Sequence, residues 1–534
     1  MKMSTKARYG LYACIKLAER YGEDFISTVD LANEIGVSDG YLEQIIAKLK
    51  KEGIVVSQRG AMGGYKLTDK PLNISVGKIL RSVEDNLEIV DCLSTNTKVQ
   101  CNCVSQCSCI SRGLWQNLYN HINLYLDGIS LQQLIDASQE NKRIYLDHAA
   151  TTPLDNDVLR AMLPYMTDIY GNSHSQHFFG REAMAGVDKA RKQVAEAINA
   201  QPSEIYFVGS GTEADNWAIK GIALQKASVG KHVITSAIEH HAVLNSVDWL
   251  KNNGFEVTIL PVDKYGMVSV DELERAIRPD TTLVSIMYAN NEVGTIQPIK
   301  QLVEVAHKHK VIFHVDAVQA VGSIPVDVKD LDVDLLSLSA HKFYGPKGVG
   351  ALYIKNGIRI QKMILGGGQE RSMRGGTTNT PAVVGMGFAI EKAVKDMQIN
   401  NQHIKSLRDA FVKRVKEEIL YAHYNGHPTE RLPSNASFSF EFIEGESILM
   451  LLDFEGIAVS SGSACSSGSL DPSHVLLSMG VPIEISHGTI RFSIGKHNTM
   501  SQIDYTVDKL KAIIEKLRMM SPLFALKEGE IKNV

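Results

Sequence analysis

The chain has 534 residues, of which 44% are apolar and 22% are charged, and its formal net charge is −4 at pH 7. These values are ordinary for folded domains and exclude fibrous, disordered and polyelectrolyte classes. At roughly 150 residues per domain, the length predicts about three or four folding units. No apolar run reaches the roughly 18 residues of a membrane helix, and the N-terminus lacks the apolar core of a secretion signal. We therefore predict a cytoplasmic protein with no membrane partner.

The first 135 residues are predicted to form a winged helix-turn-helix followed by a longer helix. Apolar residues recur at helical spacing, and glycines end the two short helices. A glycine-rich tip separates two short apolar strands, which indicates a hairpin. The predicted helices are 6–21, 28–35, 39–52, 76–84 and 114–126, and the predicted strands are 54–57 and 65–67.

After a polar segment at 136–142, which is predicted to be a linker, the pattern of the chain changes. Short apolar strands alternate with helices from residue 143 to the C-terminus. Such alternation predicts an α/β fold with a largely parallel sheet. The predicted strands are 204–208, 232–236, 256–260, 283–288, 312–316 and 335–339.

The predicted winged helix carries groups suited to double-stranded DNA. Six basic and two acidic residues lie between positions 48 and 70, which favours contacts with phosphates. Tyr41, Glu43 and Gln44 lie near the start of the second helix of the motif and are predicted to reach base edges. Arg59, at the hairpin tip, is predicted to enter a narrow minor groove. A winged helix that binds protein is the alternative.

A cluster of cysteines follows the predicted winged helix. Five of the seven cysteines lie in one short stretch: Cys92, Cys101, Cys103, Cys107 and Cys109. A disulfide scaffold spreads its cysteines through a small secreted chain, so this cluster favours metal or iron–sulfur chemistry. A zinc site and a thiol or persulfide sensor are the alternatives. Cys14, with apolar neighbours at helical spacing, is predicted to be a core residue.

The first 135 residues resemble the IscR-type family of iron–sulfur and cysteine-responsive regulators. The resemblance rests on the runs STKARYGL at 4–11, YLEQI at 41–45 and RGAMGGY at 59–65. It implies a dimeric, DNA-binding winged-helix regulator in which the helix 114–126 forms the dimer contact.

The same resemblance implies an iron–sulfur cluster with three cysteine ligands. The family pattern fits Cys92, Cys103 and Cys109 best. Cys101 and Cys107 have the same separation in sequence as Cys103 and Cys109, so the register is open. Arg112 stands where some members have a histidine, so the fourth ligand is also open.

The run SLSAHKFYGPKG at 337–348 carries the first signal of catalysis. Lys342 follows an apolar strand and has hydroxyl groups and His341 beside it, which suits a Schiff base with pyridoxal phosphate. Ser339 and His341 are placed to donate hydrogen bonds to the phosphate. A surface lysine near a Gly-Pro turn is the alternative.

Three other segments agree with a pyridoxal phosphate site. Gly211 and Thr212 lie where a strand runs into a helix, and backbone N–H groups at such a position bind phosphate. Asp316 ends a predicted strand, where a carboxylate keeps the pyridine nitrogen protonated. His240 follows another strand and is placed to stack on the ring.

Together, residues 145 to about 522 resemble the cysteine desulfurases of the NifS/IscS type, beginning at the run YLDHAATTP. The resemblance implies a fold type I pyridoxal phosphate enzyme that is a homodimer. It implies a large cofactor domain at about 160–395 and a small α+β domain built from about 143–159 and 396–522. The implied reaction converts L-cysteine to L-alanine.

The resemblance also assigns roles to individual residues. Lys342 corresponds to the Schiff-base lysine, and His240 to the histidine that stacks on the ring and moves protons. The other implied cofactor contacts are Asp316 and Gln319 at the ring, Gly211, Thr212, Ser339 and His341 at the phosphate, and Thr377 at the phosphate of the partner subunit. Asn291 and Arg491 correspond to substrate-binding residues, with Arg491 as a bidentate clamp for the carboxylate.

Cys465 lies in the run SSGSACSSGS at 460–469, whose small residues are typical of a mobile loop. The resemblance makes Cys465 the residue that accepts sulfur as a persulfide and passes it to a scaffold protein. The leading hypothesis is a desulfurase fused to a transcription regulator. The alternatives are a regulator that uses the desulfurase as a cysteine sensor, a desulfurase whose winged helix only docks partners, and a selenocysteine lyase.

Overall fold

The computed structural model describes residues 4–22, 24–58, 60, 63–84, 90, 93, 111–140, 143–461 and 472–525, without the side chains of 137–140. The chain divides into two compact units, Met1–Arg143 and Ile144–Val534. In the described ranges, no helix combines the length and the apolar character needed to cross a bilayer.

The N-terminal unit is a winged helix, as predicted. Its elements are α1 (Thr5–Glu19), α2 (Thr28–Ile35), α3 (Asp39–Lys51), β1 (Val55–Gln58), β2 (Gly64–Leu67), α4 (Val76–Val83), α5 (Arg112–Asp127) and α6 (Leu131–Glu140). The Ser27 hydroxyl accepts a hydrogen bond from the Asp30 amide and caps α2, and Gly36 ends that helix at φ 72°. β1 and β2 pair antiparallel and form the wing.

Helix α6 differs from the predicted linker at 136–142. The helix continues to Glu140, and its residues Leu131 and Ile135 are buried in the core of the N-terminal unit. Leu131 and Ile135 lie on one apolar stripe at helical spacing, and the polar residues that follow them in the chain are typical of a linker. Cys14 lies in the same core, where burial raises the pKa of its thiol to about 12. A protonated, enclosed thiol of this kind is a packing residue, as predicted.

The first part of the C-terminal unit contains a seven-stranded sheet. Its elements are β3 (Ile144–Tyr145), α7 (Asn156–Thr167), α8 (Phe178–Ala197), β4 (Ile205–Val208), α9 (Gly211–Lys226), β5 (His232–Ser236), α10 (His241–Asn252), β6 (Glu256–Leu260), α11 (Val270–Ala276), β7 (Thr281–Met287), α12 (Ile299–Lys308), β8 (Ile312–Asp316), α13 (Val328–Leu331), β9 (Leu335–Ser339), β10 (Gly350–Ile354) and α14 (Thr380–Lys395). The strand order is β4-β10-β9-β8-β7-β5-β6. Only β10 runs antiparallel to its neighbours, so the prediction of a largely parallel sheet is confirmed.

The remaining elements form a smaller α+β layer. They are α15 (Met397–Glu418), β11 (Ala422–Tyr424), β12 (Asn435–Phe440), α16 (Gly445–Phe454), β13 (Ile457–Ala458), β14 (Ser460–Ser461), α17 (His474–Ser478), α18 (Ile483–Ser486), β15 (Thr489–Ser493) and α19 (Met500–Met519). Four strands pair in the order β11-β12-β15-β14. Phe411 of α15 packs against Phe492 of β15 in the core beneath this sheet, with ring centroids 4.6 Å apart. β3 pairs with β13, which joins the start of the unit to this layer.

Four of the buried carboxyl groups have a raised pKa: Asp215, Glu239, Glu292 and Asp316. Burial raises the pKa of each, because a charged carboxylate is poorly solvated there. The Glu239 Oε1 atom accepts hydrogen bonds from the Ser236 hydroxyl at 2.5 Å and the Met287 amide at 3.0 Å. Its Oε2 atom is buried and finds no hydrogen-bond partner in the described ranges. These contacts leave the pKa of Glu239 at about 8.

The pKa of Glu239 predicts how the stability of this unit depends on pH. The ordinary pKa is 4.5, so between about pH 5 and 8 the folded state holds a proton that the unfolded state lacks. The free energy of unfolding therefore falls as the pH rises, and Glu239 contributes up to about 1.4 kcal/mol per pH unit to this slope. Glu239→Gln keeps an oxygen acceptor for Ser236 and Met287 and removes the titration. Urea unfolding between pH 5.5 and 8 is expected to show a flatter slope for Glu239→Gln than for wild type.

The exposed Glu182 provides the matched control. Glu182→Gln makes the same chemical change at the surface and is expected to retain the slope of the wild type. Equal slopes for Glu239→Gln and wild type would contradict the prediction.

Candidate active site

A cavity of about 260 Å³ lies at the carboxyl ends of β7, β8 and β9. Ten residues singled out in the sequence line it: Gly211, Thr212, His240, Asn291, Asp316, Gln319, Ser339, His341, Lys342 and Arg491. The parallel strands explain the convergence, because their carboxyl ends open on the same edge of the sheet. Their roles remain predictions, but the fold places all ten around one space.

Lys342 reaches the cavity from a single helical turn, Ala340–Lys342, directly after β9. Its Nζ atom donates hydrogen bonds to the carbonyl oxygens of Ala149 and Ala150, at 2.6 and 2.8 Å. The Gln319 side-chain amide also donates to the Ala149 carbonyl at 2.9 Å. The backbone at 149–150 thus orients the lysine, a contribution that the side-chain pattern of the sequence did not predict.

Asp316 and His240 lie on the same cavity as Lys342. Asp316 is the last residue of β8, and its Oδ1 atom accepts a hydrogen bond from the Val318 amide at 2.9 Å. Burial raises the pKa of Asp316, and the charges of His240 and Lys342 oppose that rise. Burial lowers the pKa of His240, whose Nδ1 atom accepts from the Ala242 amide at 3.1 Å. The imidazole is therefore neutral in this arrangement, with its proton on Nε2.

The opposite end of the cavity is suited to a phosphate group. Ser210 caps α9, and Gly211 and Thr212 form the first turn of this 16-residue helix. The helix N-terminus offers unpaired N–H groups and a partial positive charge. A Cβ atom on Gly211 would lie 2.8 Å from the Val318 side chain, so a side chain at this position would intrude on the space. Burial lowers the pKa of the nearby His341 to about 4, which leaves it neutral at pH 7.

Arg491 of β15 supplies a buried positive charge. Its Nη2 atom contacts Asp147 Oδ1 at 2.8 Å, and its Nη1 atom donates to the Asn291 carbonyl oxygen at 3.2 Å. Among the residues that the structure describes, the buried Nε atom has no hydrogen-bond partner. The Asp147 partner was not predicted, because a contact across 344 residues has no local signature in the sequence.

Other predicted residues lie away from the cavity or outside the described residues. Thr377 is not among the residues that line the cavity, although Arg374 of the same segment forms an ion pair with Glu213 of α9 at 2.8 Å. On α3, Glu43 and Gln44 are exposed, while Tyr41 is half-buried with its ring 6.1 Å from the Tyr9 ring. The predicted residues outside the described ranges are Arg59, Cys92, Cys101, Cys103, Cys107, Cys109 and Cys465.

The predicted metal site therefore stays a prediction. Among the residues that the structure describes, no group of three or more histidine, cysteine, aspartate or glutamate side chains is placed to hold a metal ion. The five clustered cysteines do not belong to that set.

Known proteins resemble both units. Residues 144–506 match the family model described as aminotransferase class-V, and residues 3–137 match the Rrf2 model, described as an iron-dependent transcriptional regulator. A cysteine desulfurase IscS from Methanosarcina thermophila is 53% identical over 388 residues, which cover 73% of this chain and 96% of that protein. The cysteine desulfurase of Homo sapiens is 47% identical over 391 residues, covering 73% and 85% of the two chains.

A solved structure described as a NifS-like protein superposes with a TM-score of 0.67 at 41% identity. It matches over 70% of this chain and 100% of its own length. This likeness confirms the predicted fold type of the C-terminal unit. The chain belongs to the aminotransferase class-V family, in the branch of the IscS-type cysteine desulfurases, and carries an Rrf2-type regulator domain at its N-terminus.

Proposed function

We propose that the C-terminal unit is a pyridoxal phosphate-dependent cysteine desulfurase that converts L-cysteine to L-alanine and holds the sulfur on Cys465. The observation that carries this proposal is the meeting of Lys342, His240, Asp316 and Arg491 in one cavity. The N-terminal unit is proposed to be a DNA-binding transcription regulator that is fused to this enzyme in one chain.

The residues of the cavity fit the cofactor. Gly211, Thr212, Ser339 and His341 surround the space for its phosphate, and Asp316 lies where a carboxylate is needed for its pyridine nitrogen. When bound, pyridoxal phosphate supplies an electron sink next to the substrate Cα. In this proposal Gln319 contacts the ring oxygen, and Thr377 serves the phosphate site of a second copy of the chain.

The remaining steps are assigned to side chains of this protein. Lys342 removes the proton from the substrate Cα, and His240 moves a proton to or from the substrate sulfur. Arg491, with Asn291, holds the substrate carboxylate, which would share the guanidinium group with Asp147. These assignments require the ammonium, imidazole and guanidinium groups to face one small volume, as the cavity lining supports.

Cys465 is proposed to accept the sulfur. Its thiolate attacks the substrate sulfur, the Cβ–S bond breaks, and the product is a persulfide on Cys465 with alanine as the other product. Ser460 lies opposite Arg491 in the pairing of β14 with β15. Cys465 follows Ser461 by four positions, and four residues of chain span at most about 14 Å. This tether supports delivery of the thiol to the cavity, and a scaffold protein is the proposed acceptor.

The desulfurase proposal predicts a separation of substrate binding from turnover. Cys465→Ala is expected to keep the visible absorbance of the cofactor and its change on addition of L-cysteine. The same variant is expected to lose release of sulfide and alanine by about 10³-fold or more, because no thiol accepts the sulfur. Both quantities are measured on the purified full-length protein.

Lys342→Ala is the companion variant and is expected to lose both the absorbance change and turnover. Wild-type release of alanine by Cys465→Ala would contradict the role of Cys465. Turnover of L-selenocysteine by that variant, without turnover of L-cysteine, would favour a selenocysteine lyase.

The N-terminal unit is proposed to bind operator DNA as a homodimer. The exposed Glu43 and Gln44 of α3 are available to base edges, and the β1–β2 hairpin is the wing. Apolar side chains on α5, including Leu114, Leu124 and Tyr125, are exposed, and no described residue of this helix is buried. Such a face suits the same helix of a second copy.

The DNA-binding proposal predicts a characteristic salt dependence. Lys51→Gln removes an exposed positive charge at the end of α3 and is expected to lower the slope of log affinity against log salt by about 1. The measurement is fluorescence anisotropy with a duplex taken from the region upstream of the gene. Lys413→Gln, at an exposed position of α15, is the matched control and is expected to keep the wild-type slope. Salt-independent or absent binding would instead favour a docking role.

The cysteine segment is proposed to hold an iron–sulfur cluster through Cys92, Cys103 and Cys109. The family description as an iron-dependent regulator supports this assignment. Such a cluster would let the N-terminal regulator respond to the supply of sulfur that the C-terminal unit of the same chain mobilises. A regulator that uses the desulfurase as a cysteine sensor would instead couple DNA binding to L-cysteine.

Removal of these ligands gives a spectroscopic prediction. Anaerobically purified wild type is expected to show iron, sulfide and a broad visible absorption in addition to that of the cofactor. The Cys92/Cys103/Cys109→Ala variant is expected to show the cofactor absorption alone. If both proteins lack iron and contain one zinc ion per chain, the cluster assignment is wrong.

A further inference from the structure

The start of α17 is attached to a buried carboxyl group. The Ser473 hydroxyl donates a hydrogen bond to Glu292 Oε2 at 2.5 Å. The Ser473 Oγ atom also accepts hydrogen bonds from the Val475 and Leu476 amides, at 3.2 and 3.3 Å, and so caps the helix. A hydroxyl group has one donor and two acceptor sites, so these three contacts use its full capacity.

A second contact fixes the neighbouring residue. His474 Nε2 lies 3.0 Å from the backbone oxygen of Glu239, and its ring lies 4.9 Å from the ring of His241. Val475 and Leu476 pack in a small apolar cluster with Ile238, Met287 and Val293. The start of α17 is therefore joined to two loops, of which one carries His240 and the other carries Asn291.

Glu292 itself is held rigidly. Its backbone amide donates to the Asn290 side-chain oxygen at 2.8 Å, and its carbonyl oxygen accepts from the Asn435 side chain at 3.1 Å. Its side chain is buried, although neither Glu292 nor Ser473 lines the cavity. A buried carboxyl group is costly in free energy, and burial raises its pKa to about 7. The contact with Ser473 gives this costly group a structural purpose.

The position of Ser473 in the chain relates this contact to sulfur transfer. Ser473 follows Cys465 by eight residues, and Pro472 is the first described residue after the segment 462–471. At the other end of that segment, Ser460 and Ser461 pair with β15, the strand of Arg491. The described ends of the segment that carries Cys465 are thus attached next to Arg491 and Asn291, two residues that line the cavity.

We infer that Glu292 and Ser473 are positioning residues for sulfur transfer, which anchor the C-terminal end of the segment carrying Cys465 and do not bind the substrate. This inference rests on the proposed role of Cys465. It assigns to Glu292 an effect on the step after substrate binding, in contrast to its neighbour Asn291, which lines the cavity. Loss of the anchor leaves the thiol in more conformations and lowers the fraction that reaches the substrate sulfur.

Ser473→Ala tests the inference in the full-length holoenzyme. The affinity for L-cysteine is measured from the absorbance change of the cofactor, and kcat from release of alanine. Ser473→Ala is expected to lower kcat about tenfold, as the loss of one hydrogen bond to a carboxyl group permits. The affinity is expected to stay within about twofold, because the substrate contacts are intact.

Two conservative variants separate positioning from folding. Ser473→Thr keeps the hydroxyl group, and Glu292→Gln keeps an oxygen acceptor for it, so both are expected to retain kcat within about threefold. Ser269→Ala removes the cap of α11, another short helix, without a contact to a buried carboxyl group. This control is expected to keep wild-type kcat, which shows that the loss of a cap alone is not the cause.

The possible results separate the positioning role of Ser473 and Glu292 from the proposed role of Cys465. Wild-type kcat in Ser473→Ala, or an equal loss of affinity and kcat, overturns the positioning role. A low kcat in Ser473→Thr, equal to that of Ser473→Ala, also overturns it. Cys465→Ala is measured beside them. Wild-type turnover in that variant refutes the proposed function itself, whereas its loss leaves the test of the positioning role to the Ser473 variants.

Discussion

The cavity depends on one constraint, the shared direction of β7, β8 and β9. Because these strands are parallel and adjacent, the residues that follow them meet at one edge of the sheet. Asp316 ends β8, and Lys342 follows β9 after a single turn. The smaller layer closes the same space with Arg491 on β15. Strands therefore hold the carboxyl and guanidinium groups, while the turn after β9 and the backbone at 149–150 hold the ammonium group.

Charge balance is the second consequence of that convergence. Buried groups are costly when charged and unpaired, and this site compensates them in two ways. Arg491 is paired with Asp147 at 2.8 Å, while the Lys342 ammonium group is solvated by the Ala149 and Ala150 carbonyl oxygens. For Asp215 and Glu239, burial raises the pKa and favours the neutral form. Asp316 and Lys342 thus line the cavity among charged groups that are paired or hydrogen-bonded.

The sequence predicted the sheet and part of the cavity because both leave local patterns, whereas Asn291 and Arg491 were predicted only through the resemblance to cysteine desulfurases. Apolar strands that alternate with helices indicate parallel topology, and Lys342 and Gly211 lie in runs of recognisable composition. The contacts made by backbone atoms or by distant partners were not predictable in this way. The Ala149 carbonyl oxygen that orients Lys342 is 193 residues away in the chain, and Asp147 is 344 residues from Arg491. β10 was missed because its antiparallel pairing depends on its neighbours, and α6 because its apolar stripe is short.

The proposed sulfur transfer requires a thiol that moves between two partners. It also requires that this thiol meet the substrate in a defined position. In the proposed function, the Cys465 thiol meets both the substrate and an acceptor outside the cavity. The described residues on either side of its segment are those whose attachment the structure shows. One end continues from β14, which pairs with the strand of Arg491, and the other begins at Ser473, which is bonded to the buried Glu292. Both attachments lie beside Arg491 and Asn291, the proposed substrate-binding residues, so the elements that hold these two residues also hold the described ends of the Cys465 segment.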